Sequence, residues 1–167
     1  MADPPFTGDW PYCAYCALEL LQERRASMPA KIEAGRITQD EADARIAVAR
    51  AIVKEWWWAL DPRLSPLPSS WGADQDAMHA QLARLAPWAR QQWEAAPSNK
   101  HLRERALLIE ALLWHQDLAG GDMPRIVHWG LLARRNPSWR WKINPAEDAG
   151  IYRALGLPLA SEEAKAA

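Results

Sequence analysis

The strongest constraint on the fold is a regular spacing of apolar residues between positions 42 and 60. These residues recur at alternating intervals of four and three positions: Ala42, Ile46, Ala49, Val53, Trp56 and Leu60. The spacing places them along one face of a helix and is typical of two helices that pack lengthwise. Just upstream, Thr38 and Glu41 have the Thr-x-x-Glu spacing of a capping box, which predicts a helix start at this point.

A second helix of the same kind is predicted before it. Its apolar positions follow at intervals of three, seven and four: Leu18, Leu21, Met28 and Ile32. Asp9, ahead of a Trp-Pro pair, is a suitable N-cap, and Gly35 is a suitable stop. We expect Pro29 to kink or split this helix, because proline lacks the amide donor that a helix interior uses. Residues 10–60 are therefore predicted to form an antiparallel helical hairpin.

The second half of the chain has helical spacing that is interrupted by proline and glycine. Prolines at positions 62, 66 and 68 predict a linker over residues 61–70. Helices are predicted over about 74–95 with a kink at Pro87, from a cap at Ser98 to Gly120, from Pro124 to Arg135, and over about 145–156. Residues 139–143 alternate with period two, but so short a strand has no partner, and residues 161–167 are expected to be frayed.

The fold class that follows is all-α. We predict an N-terminal antiparallel helical hairpin (residues 10–60), the proline-rich linker (61–70) and a Trp-rich bundle of about four short helices (71–160). The hairpin packs with this bundle, either as a second domain or as part of one compact unit.

The composition excludes several classes of protein. Lys and Arg number 20 and Asp and Glu number 21, a net charge of −1, so the whole chain lacks the basic surplus of a general nucleic-acid or membrane-surface binder. No apolar run reaches the ~18 residues of a membrane span. The N-terminal residues are acidic and lack the apolar core of a signal peptide. We expect a soluble, cytoplasmic protein without membrane association.

The two cysteines, Cys13 and Cys16, lie three positions apart on a predicted helix, so both thiols face one side. A redox site would need a lowered thiolate pKa, and the βαβ context of thioredoxin-like motifs is missing. A zinc site would need two further ligands, and the available residues are scattered: His79, His101, His115 and His128. We expect two small buried apolar residues, and no cofactor.

Catalytic motifs are not found in the sequence. The pairs His101–Glu104 and His115–Asp117 have residue types suited to acid–base chemistry, but such groups must converge in a pocket to act together. Glycine-rich phosphate loops, a Gly-x-Ser-x-Gly elbow and a His-Glu-x-x-His motif are all missing. We therefore expect a protein that is not an enzyme.

The chain contains 11 tryptophans, three of them consecutive at positions 56–58. Successive helix residues are ~100° apart, so these indoles sweep about 200° of the helix surface. The hairpin seam accommodates Trp56 only. Trp57 and Trp58 are either covered by the second half of the chain, which we expect, or form an exposed aromatic patch that binds a partner.

Residues 125–142 combine basic and aromatic side chains without an acidic residue. The candidate partner-binding or nucleic-acid-binding residues are Arg125, His128, Trp129, Arg134, Arg135, Trp139, Arg140, Trp141 and Lys142. Arginine binds phosphates, and indoles stack on bases. The alternative is a structural role, with arginines that favour the negative end of a helix dipole followed by a loop anchored by tryptophan.

The stretch Leu20-Leu-Gln-Glu-Arg-Arg is followed by Met28-Pro29 and then by Ala34-Gly-Arg-Ile-Thr-Gln-Asp-Glu-Ala-Asp-Ala-Arg-Ile46. Over residues 18–55 this order resembles a short helical hairpin of small phage and prophage proteins. There, an arginine-rich helix and a proline precede Gly-Arg-hydrophobic-Thr/Ser and an acidic helix. The resemblance implies a phage or mobile-element context and assigns no activity to individual residues.

We therefore expect a non-enzymatic interaction protein that binds a host protein or nucleoprotein complex through Trp and Arg surfaces, for example as an inhibitor of a defence system. One alternative is an accessory protein that binds nucleic acid directly through residues 125–142. Another is a Cys-dependent metal or redox protein. The apolar hairpin seam also leaves open a homodimer formed through the hairpin.

Overall fold

The computed structural model describes residues 2–61 and 67–136. Within these residues the chain forms five α-helices and no strand: α1 (Trp10–Glu33), α2 (Gln39–Leu60), α3 (Gln75–Ala95), α4 (Lys100–Gln116) and α5 (Arg125–Arg135). The all-α prediction is confirmed. The predicted helix at 145–156, the period-two segment at 139–143 and the terminal residues 161–167 lie outside the described residues.

The N-terminal hairpin is confirmed, because α1 and α2 pack against each other along their length. Gly35 allows the turn between them, with a φ of 70° that side chains disfavour. The Thr38 hydroxyl accepts a hydrogen bond from the Glu41 amide (3.1 Å), and the Glu41 carboxylate accepts one from the Thr38 amide (2.8 Å). The predicted capping box therefore sets the start of α2.

Two local predictions are corrected. Helix α1 is not split at Pro29 but continues to Glu33, because Met28 is buried and Ile32 partly buried on the packed face beside this exposed proline. Asn99, rather than Ser98, is the N-cap of α4, since its side-chain oxygen accepts a hydrogen bond from the Leu102 amide (3.2 Å). Asparagine and serine are similarly good N-caps, so local sequence did not distinguish the two neighbours.

The remaining helices pack against both helices of the hairpin, α4 on α1 and α3 and α5 on α2. Helices α3 and α4 form a second packed pair, and α5 lies against α2 and α4. One apolar cluster includes residues from all five helices, with the three consecutive indoles of α2 and the small residues of α1 and α4 at its centre. No helix among the described residues is long and apolar enough to cross a membrane.

Candidate functional site

Trp57 and Trp58 are buried, with 2% and 1% of their surface exposed. Tyr15 packs edge-on against Trp57 (ring centroids 5.3 Å apart), and Trp71 lies against Trp58 (5.4 Å). Trp57 is thus contacted by α1 within the hairpin, whereas Trp58 is contacted by the segment before α3 and by Arg134 of α5. The candidate assignment of Trp57 and Trp58 to a partner-binding patch is corrected, because burial removes their rings from the surface.

Arg134 lies between α5 and the C-terminal end of α2. Its guanidinium donates hydrogen bonds to the carbonyls of Trp58 (2.9 Å), Asp61 (3.3 Å) and Gly130 (3.1 Å). It also lies over the Trp58 ring, 4.0 Å from the centroid. Carbonyls at a helix C-terminus lack partners within the helix and carry the negative end of its dipole. Arg134 therefore stabilises the α2–α5 contact, and its carbonyl partners already use donors that a phosphate or a partner would need; its role as a ligand stays a prediction.

Burial lowers the pKa of Arg134 to about 10, while the nearby Asp61 acts in the opposite direction. The guanidinium therefore remains protonated at neutral pH. A charged donor in a partly buried position makes stronger hydrogen bonds than a neutral one. The charge of Arg134 therefore strengthens the contact between α5 and the end of α2.

An aromatic cavity of about 410 Å³ lies where α1, α4 and α5 meet the N-terminal segment. Its walls are formed by Thr7, Gly8, Trp10, Trp114, His115, Ala119, Arg125, His128, Trp129 and Leu132. Trp10 stacks on Trp129 with ring centroids 4.0 Å apart and an interplanar angle of 23°. His115 packs against Trp10 (4.4 Å) and, edge-on, against Trp114 (4.7 Å). The cavity is thus bounded by indole faces held in place by ring–ring contacts.

Basic side chains border this cavity. Arg125 donates a hydrogen bond to the Trp114 carbonyl (2.9 Å) and lies over the Trp114 ring at 4.3 Å. Its Nη1 is 3.8 Å from a carboxylate oxygen of Asp117, so part of its charge is already compensated. His128 and Arg135 are exposed on the outer face of α5. Three of the predicted residues therefore meet at one site, namely Arg125, His128 and Trp129.

His115 is the buried titratable group of the cavity wall. Its Nε2 lies 2.7 Å from the Thr7 carbonyl, so the neutral imidazole carries its proton on Nε2 and donates it to that oxygen. Burial lowers the pKa of His115 to about 4, although the Thr7 hydrogen bond opposes this shift. The side chain is therefore neutral at pH 7. It connects the N-terminal segment to the end of α4.

A different cleft, of about 470 Å³, contains the buried carboxyl group of Glu55 in its wall. Burial raises the pKa of Glu55 to about 8, and the neighbouring Gln116 amide offsets part of this effect. Glu55 Oε1 nevertheless has no hydrogen-bond partner of ordinary geometry in the described part of the chain. Glu55 is thus mainly protonated at pH 7, because a neutral acid costs less to bury than a carboxylate.

The acid–base pairs suggested by the sequence do not form. His101 and Glu104 are both exposed on α4. Asp117 lies 2.8 Å from the Nε2 of His79, whereas His115 is bonded to the Thr7 carbonyl. The chain fold directs these side chains to different neighbours.

Cys13 and Cys16 are buried free thiols in the first turns of α1. Burial raises the pKa of each thiol to about 12, which disfavours the thiolate that nucleophilic or redox chemistry requires. The Cys13 thiol donates a hydrogen bond to the Phe6 carbonyl (3.4 Å). Among residues 2–61 and 67–136, no group of three or more His, Cys, Asp and Glu side chains is arranged to hold a metal ion.

Sequence reasoning missed the part of the site that comes from distant positions. Trp10, Trp114 and His115 lie on α1 and α4, and no local pattern connects them to α5. The high tryptophan content of the chain was the one general signal of an aromatic site. The other candidate residues, Trp139, Arg140, Trp141 and Lys142, lie outside the described residues.

Comparison of the chain with known protein families, with curated proteins and with solved structures finds no significant match.

Proposed function

We propose that this chain is a non-enzymatic binding protein that engages a host protein, alone or within a nucleoprotein complex, through the aromatic cavity and the exposed face of α5. One observation carries the proposal. Three indoles line a cavity of about 410 Å³, and Arg125 and His128 border it.

The cavity has the chemistry of an anchor pocket. Binding energy at protein interfaces is concentrated in a few aromatic and arginine side chains that bury a partner residue. Indoles provide a large contact area and lose little conformational entropy when they do so. The ring contacts of Trp10 with Trp129 and with His115 already fix the walls before a partner arrives. An apolar side chain of the partner would therefore enter a largely preformed site.

A protein fits this face better than a nucleic-acid strand. Arg134 is bonded to three backbone carbonyls, and Arg125 is bonded to one carbonyl and lies near a carboxylate. The exposed His128 and Arg135 are left as candidates for phosphate contacts on α5. Nucleic-acid affinity increases with the number of phosphates neutralised, so two such side chains provide little of it.

The titratable groups support a binding role over catalysis. Glu55 and His115 have displaced pKa values, but they line different cavities. General acid–base catalysis requires such groups to converge on one substrate. The two thiols, whose pKa values are raised, lie in the core.

The resemblance of residues 18–55 to small phage proteins supports a mobile-element context. In that context the partner would be a cytoplasmic host protein, such as a component of a defence or replication complex.

The test is site-specific photo-crosslinking from position 128, followed by affinity measurement with the purified captured protein. The exposed Gln92 on α3 is the control position for the crosslinker. Ala119→Trp should fill the cavity and weaken binding by about tenfold or more, as expected when an anchor is excluded. Ala47→Trp adds the same indole at an exposed position of α2 and should leave the affinity unchanged.

Equal affinity of the Ala119→Trp and Ala47→Trp variants would contradict the proposal. Crosslinks of equal yield from positions 128 and 92 would do so as well. Recovery of nucleic acid alone at position 128 would favour direct nucleic-acid binding by residues 125–142 instead.

A further inference from the structure

Three arginines from α1, α2 and α3, namely Arg24, Arg45 and Arg84, lie close enough for their charges to interact. Burial and the positive charges of Arg45 and Arg84 lower the pKa of Arg24, and Glu23 only partly compensates. Within residues 2–61 and 67–136 none of these three arginines forms an ion pair. Like charges that are brought together without a counter-charge repel each other. The cluster therefore favours an anion from outside the chain.

The arginine cluster adjoins a groove of about 360 Å³ between α1 and the α3–α4 pair. Its lining is Leu20, Glu23, Arg24, Ser27, Lys31, Leu85, Trp88 and Arg105. Arg24, Ser27 and Lys31 follow at intervals of three and four, so they share one face of α1. The three arginines and the groove residues of α3 and α4 come from distant positions in the sequence. The packing of α1 on α4 and of α2 on α3 brings them together.

The groove lining carries more positive than negative charge, with Arg24, Lys31 and Arg105 against Glu23. Arg105 forms an ion pair with Glu23, at 2.6 Å, and these two charges cancel. Glu23 is the one acidic side chain in the lining. Among the described residues, Arg24 and Lys31 in the groove form no ion pair, and Arg45 and Arg84 are near enough to act on the charge of Arg24. A polyanion could therefore be neutralised at several points along this surface.

An exposed indole lies at the same groove. Trp88 is 49% exposed and follows Arg84 by four residues, on the same face of α3. The Arg105 guanidinium lies over its ring, 5.5 Å from the centroid, and this cation–π contact helps to hold the indole in place. Exposed aromatic rings beside a basic track are the combination by which proteins bind single strands, because any base can stack on them.

We propose that this groove binds single-stranded nucleic acid, with phosphates on Arg24, Arg45 and Arg84 and a base stacked on Trp88. The site is separate from the aromatic cavity and does not depend on the function proposed for it. A single strand fits better than a duplex, since its bases are free to turn out and stack. An acidic peptide would use the arginines but would leave the exposed indole unexplained.

The experiment is a fluorescence-anisotropy titration of the full chain with a labelled single strand of about 12 nucleotides, at salt concentrations between about 50 and 200 mM. Arg24→Gln/Arg84→Gln should weaken binding by about tenfold or more and reduce the slope of log affinity against log salt by about 1.4, that is about 0.7 for each lost phosphate contact. Trp88→Ala should weaken binding by roughly 5- to 150-fold with little change in slope.

The matched control is Arg25→Gln/Arg36→Gln, which removes the same charge from exposed positions at the hairpin end. This control variant should retain most of the affinity for the single strand. Arg84→Gln alone, at an exposed position, provides the same test if the double variant does not fold. The Ala119→Trp variant should bind the strand normally, so this proposal and the function proposed above can fail independently.

Several results would overturn the proposal. One is no binding of the single strand at low salt. Another is an equal loss of affinity in the control pair. If polyglutamate competes as effectively as the unlabelled strand, the ligand of the groove is instead an acidic protein segment. If Arg140→Gln/Lys142→Gln lowers the affinity for the strand and the groove variants do not, nucleic-acid binding belongs to residues 125–142.

Discussion

At the scale of single residues, Arg134 and Arg135 show how neighbouring identical side chains acquire different roles. Both are consecutive in the last turn of α5 and are equivalent by composition. Arg134 turns inward to the carbonyls at the end of α2, whereas Arg135 is exposed. A basic segment in a sequence therefore overstates the charge available to a ligand when the chain's own carbonyls bind part of it.

Exchanging these arginines separately should distinguish their roles. Arg134→Gln removes charged hydrogen bonds to the Trp58 and Asp61 carbonyls and the contact with the Trp58 ring, so the free energy of unfolding should fall by about 1.5–3 kcal/mol. Arg135→Gln is the matched control and should change it by no more than about 0.5 kcal/mol. Urea denaturation measures both variants. Equal stabilities would show that the contacts of Arg134 do not contribute to the free energy of unfolding.

The residue-level predictions succeeded where the interaction is local. Thr38 and Glu41 are three positions apart, and their capping box forms as expected. Trp57 and Trp58 were ambiguous because the covering residues, such as Tyr15 and Trp71, come from other parts of the chain. The arginine groove went unnoticed for the same reason, since Arg24, Arg45 and Arg84 are each an ordinary surface residue in the sequence.

At the scale of elements, the contact of α5 with α2 depends on Gly130. A Cβ atom placed on this glycine would lie 2.5 Å from the Trp58 ring and 3.0 Å from the Ala59 Cα atom. The ring is held by Arg134 and Trp71, and the second atom is backbone, so neither neighbour can move away easily. The missing side chain is thus what allows α5 to lie close to the indoles of α2.

Replacing this glycine should therefore have the opposite effect from the one that helix propensity predicts. Gly130→Ala in an open helix would add up to about 1 kcal/mol of stability. Here we expect a loss of about 1–3 kcal/mol from overpacking. Gly8→Ala, which adds a methyl group where no heavy atom lies within 4 Å, is the control. Thermal denaturation of both variants is sufficient, and a Gly130→Ala variant as stable as the original chain would disprove the close contact.

The helices themselves were predictable because their start and stop signals lie within a few residues of each end. The sequence predicted a helix over 74–95, and α3 extends from Gln75 to Ala95. Whether Pro29 would kink α1 or split it stayed open in the sequence, since the continuation depends on the burial of Met28 by packing. Local sequence signals indicate the positions of helices, whereas tertiary packing determines whether a helix ends at an internal proline or continues through it.

At the scale of the whole molecule, two buried titratable groups connect distant segments and make stability depend on pH. The pKa of Glu55 rises from 4.5 to about 8, so the folded state keeps a proton that the unfolded chain loses. The stability that this group contributes is full below about pH 4.5 and declines as the pH rises towards 8. The pKa of His115 falls from 6.5 to about 4, so its contribution is lost as the pH falls through that window.

The two contributions oppose each other between pH 4.5 and 6.5, and above pH 6.5 that of Glu55 remains. The thiols do not interfere below pH 9, because their pKa values are raised from 9.0 to about 12. Stability should therefore vary little from pH 5 to 6.5 and then decline towards pH 8, by up to about 1.4 kcal/mol per pH unit from Glu55.

Glu55→Gln tests this origin, since it keeps the size and polarity of the side chain but cannot ionise. The variant should lose the decline above pH 6.5 and become more stable relative to the original chain as the pH rises. His115→Gln should instead remove the opposing contribution between pH 4.5 and 6.5, so that stability declines with rising pH over this range as well. Urea denaturation at half-unit steps of pH measures both effects. If the Glu55→Gln and original curves stay parallel from pH 5 to 8, Glu55 already ionises normally in the folded protein. The raised pKa of Glu55 in the folded protein would then be wrong.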